Sequence, residues 1–231
     1  MKAFLLAAGN GTRLRPITDK VPKCLVPILG MPMLSIWMKV CKKLGISEVL
    51  INLHAHADLV RTFLEQGGED GVQVHVSEEK QLLGSAGTLR ANRHWVDDED
   101  LFWVFYADVL HRANLLAMLH LHRQRRLAAT LGVYEVPDPS RCGIVTANSD
   151  GVIDDFVEKP AHPNSNLAFS GLMIGTREVL DVIPDSVPAD IGFHVLPKLR
   201  GRMLAFPIRD YLIDVGTLDN YHKAQATWPG L

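Results

Sequence analysis

A glycine-containing loop with two arginines follows the first apolar segment of the chain. Ala3–Ala8 leads directly into Gly9-Asn10-Gly11-Thr12-Arg13. Glycines two positions apart let backbone N–H groups approach an anion without a Cβ in the way, and Arg13 and Arg15 add positive charge. The dinucleotide motif G-x-G-x-x-G fails because Leu14 stands at the third glycine position, and no Gly-Lys-Ser/Thr follows to make a Walker A motif. The loop therefore predicts a phosphate site of another kind, and the alternative is a tight turn with solvated arginines.

Several segments along the chain carry recognisable motifs, namely Leu6–Pro16, Pro22–Pro27, Leu83–Leu89, Ala107-Asp108, Phe156–Pro160 and Asp214–Thr217. In these segments, and in their order over nearly the whole chain, the sequence resembles the sugar-1-phosphate nucleotidyltransferases, also called NDP-sugar pyrophosphorylases. The resemblance is nearest to single-domain members of the mannose- or heptose-1-phosphate guanylyltransferase type. It implies a Rossmann-like α/β fold and transfer of a nucleotidyl group to a sugar 1-phosphate, with release of pyrophosphate.

The resemblance implies that the loop and four charged side chains bind the triphosphate. Arg13 would stabilise the triphosphate and the leaving pyrophosphate, Lys23 would contact the α-phosphate or pyrophosphate, and Asp108 with Asp214 would hold Mg²⁺. The attacking sugar phosphate is already an anion, so catalysis needs positioning and charge neutralisation but no strong base. A single aspartate is often a solvated turn or helix cap, but two in matching motifs favour a metal site. The loop residues expected to bind nucleotide are Leu6, Ala7, Ala8, Gly9, Gly11 and Thr12.

The resemblance places the sugar site in the second half of the chain. Glu158 would accept hydrogen bonds from sugar hydroxyls, Lys159 would hold the sugar phosphate, and Gly171 would offer a backbone contact to the sugar. A Glu-Lys-Pro stretch by itself is commonplace at the end of a strand. Its agreement with the other motifs is what favours a sugar site.

Base recognition is expected from Glu79 and the segment that begins at Gly84. Gly84 and Gly87 would let the backbone meet the base edge, and Glu79 would accept from guanine N1–H and N2–H₂. We therefore expect GTP with a manno-configured sugar 1-phosphate. An acidic residue at position 79 is also compatible with uracil N3–H, so a uridylyltransferase acting on another sugar or amino-sugar 1-phosphate is the alternative. A plain exposed residue is the other interpretation of Glu79.

Some positions depart from the family's pattern and leave the substrate open. Cys24 stands where proline is common, Tyr106-Ala107 replaces Asn-Gly before the metal aspartate, and Ser170 stands where alanine or asparagine is frequent. A choline-phosphate cytidylyltransferase, a catalytically inactive nucleotide-sugar-binding subunit and a glycosyltransferase are rival hypotheses. Retention of the whole charged set opposes an inactive subunit, and a glycosyltransferase would not need a triphosphate loop.

Composition excludes several other classes of function. The 231 residues carry a net charge of −2 at pH 7, which is no basic excess for binding nucleic acid. No apolar run approaches the ~20 residues of a membrane span. Three cysteines without a CxxC pairing oppose a disulfide framework or a zinc site and favour a reduced, cytoplasmic protein. His54-x-His56 and His120-x-His122 are expected to be surface or capping histidines.

Alternating strand and helix patterns predict the elements that must position these groups. The first half predicts an α/β architecture with a doubly wound, mostly parallel sheet, whose ligands lie beyond the carboxyl ends of the strands. From about Ala128 the pattern changes to shorter strands and turns, which predicts a sugar-binding insertion. We expect one nucleotidyltransferase domain over 1–231, with a nucleotide half at 1–127, a sugar half at 128–231 and no appended domain. A homo-oligomer formed through the second half stays open.

Overall fold

The structure, a computed structural model, describes residues 1–67 and 71–231. Within these residues the strands are β1 (Lys2–Leu6), β2 (Pro27–Ile28), β3 (Met31–Pro32), β4 (Glu48–Leu53), β5 (Gln73–Glu78), β6 (Phe102–Tyr106), β7 (Val109–His111), β8 (Ala129–Glu135), β9 (Gly143–Ala147), β10 (Ile153–Glu158), β11 (Leu167–Gly175), β12 (Met203–Pro207) and β13 (Leu212–Asp214). The α-helices are α1 (Met33–Lys43), α2 (Ala57–Glu65), α3 (Ser85–Ala91), α4 (Leu115–Arg125), α5 (Arg177–Asp181) and α6 (Leu218–Thr227). A π-helix covers Ile191–Val195.

The chain folds into two compact units, each discontinuous in sequence. The first comprises Met1–Leu82, Phe105–Arg112 and Asp210–Leu231, and the second comprises Leu83–Val104 and Ala113–Arg209. Strand β6 therefore contributes residues to both. These boundaries were not visible in the sequence pattern, and a division into a nucleotide half at 1–127 and a sugar half at 128–231 stays a prediction.

Parallel strands form the centre of the first unit. β1 pairs with β4, aligning Ala3 with Val49, and β4 pairs with β5, both in parallel. Consecutive residues Phe4 and Leu5 are both fully buried, so β1 is covered on both faces, as expected of a parallel strand inside an α/β sheet. The strand order in this unit is β6, β1, β4, β5. Where β1 ends, the glycine loop begins.

A short antiparallel ladder of β7 and β13 fixes the two predicted metal aspartates near each other. Asp214, the last residue of β13, pairs with Val109, the first residue of β7. The next residue along, Val215, donates its backbone N–H to the carbonyl of Asp108 at 2.8 Å. Buried apolar residues from β7, β13 and α6 pack together beside this ladder, so its position rests on a hydrophobic cluster.

The second unit is mainly antiparallel. β11 pairs with β8 and β9, and β9 pairs with β10, all antiparallel, whereas β12 runs parallel to β8. The pairing of β11 with β8 shifts register between Phe169 and Met173. The change of sequence pattern near Ala128 thus marks a real change in sheet type.

The predicted α/β class is confirmed, with a mixed sheet. Helix α1 ends at Lys43, where the backbone N–H of Gly45 bonds back to the carbonyl of Lys42 at 3.0 Å. Strand β7 was not predicted, because three residues give too little periodicity to read. In the described parts of the chain, no helix has both the length and the apolar character needed to cross a membrane.

One histidine prediction is wrong. His120 and His56 are exposed as expected, but His122 is 3% exposed and its Nδ1 lies 2.9 Å from Thr130 Oγ1. Burial, and secondarily the charge of Arg123, lower the pKa of His122 to about 4. A lone histidine at helical spacing gave no sign that it faced the core.

Candidate active site

The glycine loop forms one wall of a cleft of about 260 Å³ in the first unit. Thr18 Oγ1 donates to the carbonyl of Gly11 at 2.7 Å, and a Cβ on Gly11 would lie 2.8 Å from Thr18 Cγ2. Gly11 has a φ of +62°, which a side chain would strain, so glycine is required twice over here. The cleft is lined by Leu6, Ala7, Gly9, Asn10, Gly11, Thr12, Arg13, Lys23, Cys24, Ala107, Asp108 and Gly216. Ala8, also predicted to bind nucleotide, is buried and is not among these lining residues.

Four predicted charged side chains converge at this cleft. Lys23 Nζ donates to Asp108 Oδ2 at 2.5 Å and lies 3.9 Å from Asp214 Oδ1. The place where Gly216 would carry a Cβ is 2.8 Å from Asp214 Oδ1 and 3.2 Å from Arg13 Nη2. The structure therefore sets two cations and two carboxylates side by side.

The pKa of Asp214 is raised to about 6, first by burial and then by the like charge of Asp108. Lys23 and Arg13 oppose this shift. Asp214 Oδ1 is a buried atom that accepts no hydrogen bond among the described residues. Such an oxygen beside a second carboxylate fits a divalent cation as a partner.

The protein alone offers few ligands to that cation. The described residues hold no group of three or more histidine, cysteine, aspartate or glutamate side chains suited to a metal. Asp108 and Asp214 would supply two ligands, and Mg²⁺ commonly takes its others from water and substrate phosphates. The donor set therefore fits a cation that binds together with a triphosphate.

A rigid, apolar setting holds Lys23. Pro22 and Cys24 on either side are buried, and Lys23 begins the 3-10 helix Lys23–Leu25. Burial raises the pKa of the Cys24 thiol to about 12, so this sulfur stays neutral. Cys24, the departure from the family's proline, thus leaves the charge of the cleft unchanged.

Glu79 is buried, so its interpretation as a plain exposed residue is wrong. It is 4% exposed, and its Oε1 accepts a hydrogen bond from Asn52 Nδ2 at 2.8 Å. Asn52 Oδ1 in turn accepts from the backbone N–H of Ala7 at 2.7 Å. Asn52 therefore connects Glu79 to the residue that follows β1. Sequence reasoning missed Asn52, since an asparagine within a strand carries no motif.

In the second unit, the backbone that approaches Gly84 is that of Ala189. A Cβ on Gly84 would lie 2.9 Å from Ala189 C and 3.0 Å from Ala189 N and would collide with the carbonyl oxygen. That carbonyl accepts from the N–H groups of Ala86 at 2.9 Å and Gly87 at 3.1 Å, and Ala189 N–H donates to Leu83 at 2.8 Å. Gly84 and Gly87 therefore have a structural role, and their predicted contact with a base stays a prediction.

Glu158 is held in space left by two glycines. A Cβ on Gly143 would lie 2.6 Å from Glu158 Oε2, and a Cβ on Gly192 would lie 2.8 Å from Glu158 Cδ. Burial first, and then the charge of Asp190, raise the pKa of Glu158, whereas Lys159 lowers it. Sequence reasoning missed Gly143, Gly192 and Asp190, because their roles depend on residues far away in the chain.

Lys159 lies next to Glu158 and an aromatic ring. Its Nζ is 3.9 Å from Glu158 Oε1 and 5.6 Å from the ring centroid of Phe193. The Lys159 side chain is 57% exposed, so it is free to move toward an anion. Gly171 lies in the irregular part of β11, next to Ser170, whose Oγ accepts from Leu172 N–H at 3.2 Å. Ser170 is thus engaged by its own strand.

Known proteins match nearly the whole chain. The family described as Nucleotidyl transferase matches residues 2–229. UTP–glucose-1-phosphate uridylyltransferase from Synechocystis sp. is 32% identical over 241 residues, which cover 97% of this chain and 62% of that protein. Mannose-1-phosphate guanylyltransferase catalytic subunit beta from Xenopus tropicalis is 33% identical over 221 residues, which cover 94% of this chain and 61% of that protein. This chain thus spans about three fifths of the length of these curated relatives.

Solved structures share the fold. A Bacillus anthracis protein assigned as a glucose-1-phosphate thymidylyltransferase, crystallised with a sucrose, superposes with a TM-score of 0.86 at 25% identity. The match covers 98% of this chain and 94% of that one.

Proposed function

This chain belongs to the nucleotidyl transferase family, and we propose that it transfers a nucleotidyl group from a nucleoside triphosphate to a sugar 1-phosphate. The products are an NDP-sugar and pyrophosphate. The observation that carries the proposal is the convergence of Arg13, Lys23, Asp108 and Asp214 on one cleft beside a glycine loop. The names of the relatives, which pair nucleoside triphosphates with sugar 1-phosphates, support the substrate classes.

In the proposed reaction an oxygen of the sugar 1-phosphate attacks the α-phosphorus. A new P–O bond forms, the bond to the oxygen bridging the α- and β-phosphates breaks, and pyrophosphate leaves with that electron pair. The nucleophile is ionised before it binds, so no side chain has to remove a proton. The barrier is then lowered by alignment and by neutralising phosphate charge.

Lys23 and Arg13 supply that positive charge. Lys23 is held by Asp108 at 2.5 Å, which fixes the ammonium at the cleft before substrate arrives. Arg13, in the 3-10 helix after Gly11, would stabilise the triphosphate and the departing pyrophosphate. An ammonium and a guanidinium placed beside the triphosphate would act as electrostatic stabilisers of the transition state.

Asp108 and Asp214 would hold Mg²⁺ together with the phosphates. When bound, the cation would neutralise charge on the triphosphate. The orphaned Oδ1 of Asp214 supports this assignment, because a buried carboxylate oxygen without a donor is costly unless a cation satisfies it.

The second unit would bind the sugar 1-phosphate. Glu158 would accept from ring hydroxyls, Lys159 would pair with the phosphate, and Gly171 would offer its backbone to the sugar. The space that Gly143 and Gly192 leave for the Glu158 carboxylate supports its role as the acceptor for sugar hydroxyls. The exposure of Lys159 supports its pairing with the phosphate, because a mobile ammonium can follow an incoming anion.

We propose GTP and a mannose- or heptose-type sugar 1-phosphate as the substrates. The hydrogen bond from Asn52 fixes the position of the Glu79 carboxylate, and we assign this carboxylate as the group that accepts from guanine N1–H and N2–H₂. A guanylyltransferase and a uridylyltransferase match this chain at nearly equal identity, so UTP with another sugar or amino-sugar 1-phosphate is the alternative.

The remaining parts of the proposal concern compartment and partners. Three free cysteines and phosphorylated metabolites as substrates support a cytoplasmic enzyme that acts without nucleic acid or membrane. A homo-oligomer is compatible with this function. The rival from another class is a nucleotide-sugar-binding subunit without turnover.

The test is pyrophosphate release from GTP, UTP, CTP, ATP and dTTP, each combined with several sugar 1-phosphates and Mg²⁺. We expect turnover with GTP and a manno-configured sugar. Asp108→Asn should lower turnover at least ~100-fold. Asp58→Asn, at an exposed position on α2, is the matched control and should behave as wild type.

Different outcomes separate the hypotheses. Turnover with UTP alone retains the reaction and rejects the guanine assignment. If folded protein that binds nucleotide releases no pyrophosphate with any combination, the enzyme hypothesis is rejected in favour of a nucleotide-sugar-binding subunit. Equal turnover by Asp108→Asn and wild type rejects the proposed metal site.

A further inference from the structure

Asp190 connects the π-helix to the start of α3 through hydrogen bonds. It precedes the π-helix, where its Oδ1 accepts from Phe193 N–H at 3.1 Å and its own N–H donates to His194 Nδ1 at 2.9 Å. Its Oδ2 accepts from the Ser85 hydroxyl at 2.9 Å, and that hydroxyl accepts from Ile191 N–H at 2.8 Å. Both carboxylate oxygens are engaged, so the charge of Asp190 is fixed in place.

The fixed carboxylate lies beside that of Glu158. The point where Gly192 would carry a Cβ is 3.2 Å from Asp190 Oδ1 and 2.8 Å from Glu158 Cδ. After burial, the charge of Asp190 is the larger cause that raises the pKa of Glu158. The two carboxylates therefore repel each other electrostatically.

Among the described residues, the ammonium of Lys159 lies beside this acid pair, and the proposed function gives it a second role. Lys159 lies 3.9 Å from Glu158, with 57% of its side chain exposed, and the proposed function assigns it to the sugar phosphate. Once Lys159 turns to a phosphate, the negative charge of Glu158 and Asp190 is less compensated, and Glu158 meets the sugar with the charge of Asp190 behind it. Hydroxyl groups suit such a site because they donate, whereas a third carboxylate would meet repulsion.

We propose that Asp190 is a positioning residue that, together with Glu158, selects neutral, hydroxyl-bearing sugar 1-phosphates against uronic acid 1-phosphates. The proposal rests on the proposed function, since Glu158 must face the sugar. Asp190 acts in two ways: its charge adds to that of Glu158, and its hydrogen bonds hold the π-helix that carries Gly192. The selection works by repelling an acidic sugar, in addition to any contact that favours a neutral one.

The experiment compares a neutral sugar 1-phosphate with its 6-carboxylate counterpart, in both the gluco and the manno series. Binding is measured by calorimetry, and kcat/KM by pyrophosphate release, on the full chain with Mg²⁺. We expect wild type to disfavour the uronate about 100-fold and Asp190→Asn to reduce that ratio about tenfold, since one of two nearby charges is removed. The KM for the nucleoside triphosphate should stay unchanged. Asparagine keeps an acceptor for Phe193 N–H, so the cap of the π-helix is retained.

Asp138→Asn is the matched control. Asp138 also precedes a short helix, with its Oδ1 3.2 Å from Ser140 N, but it is exposed. Its substitution should leave the ratio between the two ligands as in wild type. A change of the same size in Asp138→Asn would overturn the proposal.

A measurement on wild type alone covers the case in which Asp190→Asn does not fold. Raising the ionic strength from about 0.05 M to about 0.5 M should reduce the preference for the neutral sugar over the uronate, because salt screens the repulsion of the extra carboxylate. The effect of salt on the phosphate is common to both ligands and leaves their ratio unchanged.

A ratio of neutral sugar to uronate that does not respond to salt, or that is unchanged in folded Asp190→Asn, overturns the proposal. Binding with the expected discrimination but without pyrophosphate release rejects the proposed function alone. Equal turnover of uronate and neutral sugar retains that function and rejects the role of Asp190, and no binding of any sugar 1-phosphate rejects both.

Discussion

At the scale of single residues, the missing side chain of Gly192 decides where the Glu158 carboxylate lies. A Cβ at Gly192 would lie 2.8 Å from Glu158 Cδ. Gly192→Ala should therefore displace Glu158 and lower kcat/KM for the sugar 1-phosphate by about 10- to 100-fold, since a displacement of ~1 Å can cost 10²-fold. The KM for the nucleoside triphosphate should not change. Steady-state kinetics with each substrate varied in turn measures both.

Ile191→Val, in the same π-helix, is the control for Gly192→Ala. It trims a fully buried side chain without adding an atom near Glu158. If kcat/KM falls equally in both variants, the loss comes from a weakened π-helix and not from displacement of Glu158.

Residue types could be predicted where they belong to a continuous motif. Lys23, Asp108 and Asp214 lie together as the motifs indicated. Asn52 and Asp190 were missed because their partners are distant: Asn52 meets Glu79 27 positions away, and Asp190 meets Ser85 105 positions away. Such partners are set by tertiary packing, which a single sequence does not encode locally.

At the scale of elements, the start of α3 depends on the segment around Ala189. Gly84 has a φ of +78° and abuts the Ala189 backbone. Gly84→Ala should lower the free energy of unfolding by about 3 kcal/mol, because backbone strain and a clash with rigid main chain add together. Urea unfolding measures the loss.

Gly201→Ala separates these two causes. Gly201 has a φ of +73°, yet nothing lies within 4 Å of a Cβ built there. Gly201→Ala should lower the free energy of unfolding by only about 1 kcal/mol, which is the penalty for a side chain on left-handed backbone. Equal losses in the two variants would mean that the contact with Ala189 contributes nothing.

The start of helix α6 follows a signal that is present in the local sequence, whereas strand β7 has none. α6 begins after Thr217, whose Oγ1 accepts from Asn220 N–H at 3.2 Å. Local capping chemistry sets that start. β7 has no such signal, since it exists only because β13 pairs with it from a hundred residues away.

At the scale of the whole molecule, two buried histidines make stability depend on pH. Burial lowers the pKa of His111 and of His122 from 6.5 to about 4. Between these values the unfolded chain binds more protons than the folded one. The stability that the two neutral histidines contribute is therefore fully present above about pH 6.5. The free energy of unfolding then falls as the pH drops toward 4, by roughly 1.4 kcal/mol per pH unit for each histidine.

His111→Phe should remove about half of this decline. A phenyl ring retains the packing on Trp37, whose ring centroid is 5.2 Å from that of His111. Urea unfolding at about pH 7.5 and about pH 5 gives the difference. The exposed His120→Asn should keep the wild-type slope, and a wild type equally stable at both pH values would contradict the prediction.

The hydrogen bond between Ser85 and Asp190 also affects the order in which the chain folds during its synthesis. These residues are 105 positions apart, so a nascent chain cannot form the bond until Asp190 has been synthesised and has left the ribosomal tunnel. Until then, the N–H groups of Ala86 and Gly87 lack the Ala189 carbonyl that accepts them in the finished protein. The first turn of α3 therefore matures late, although its residues are translated early.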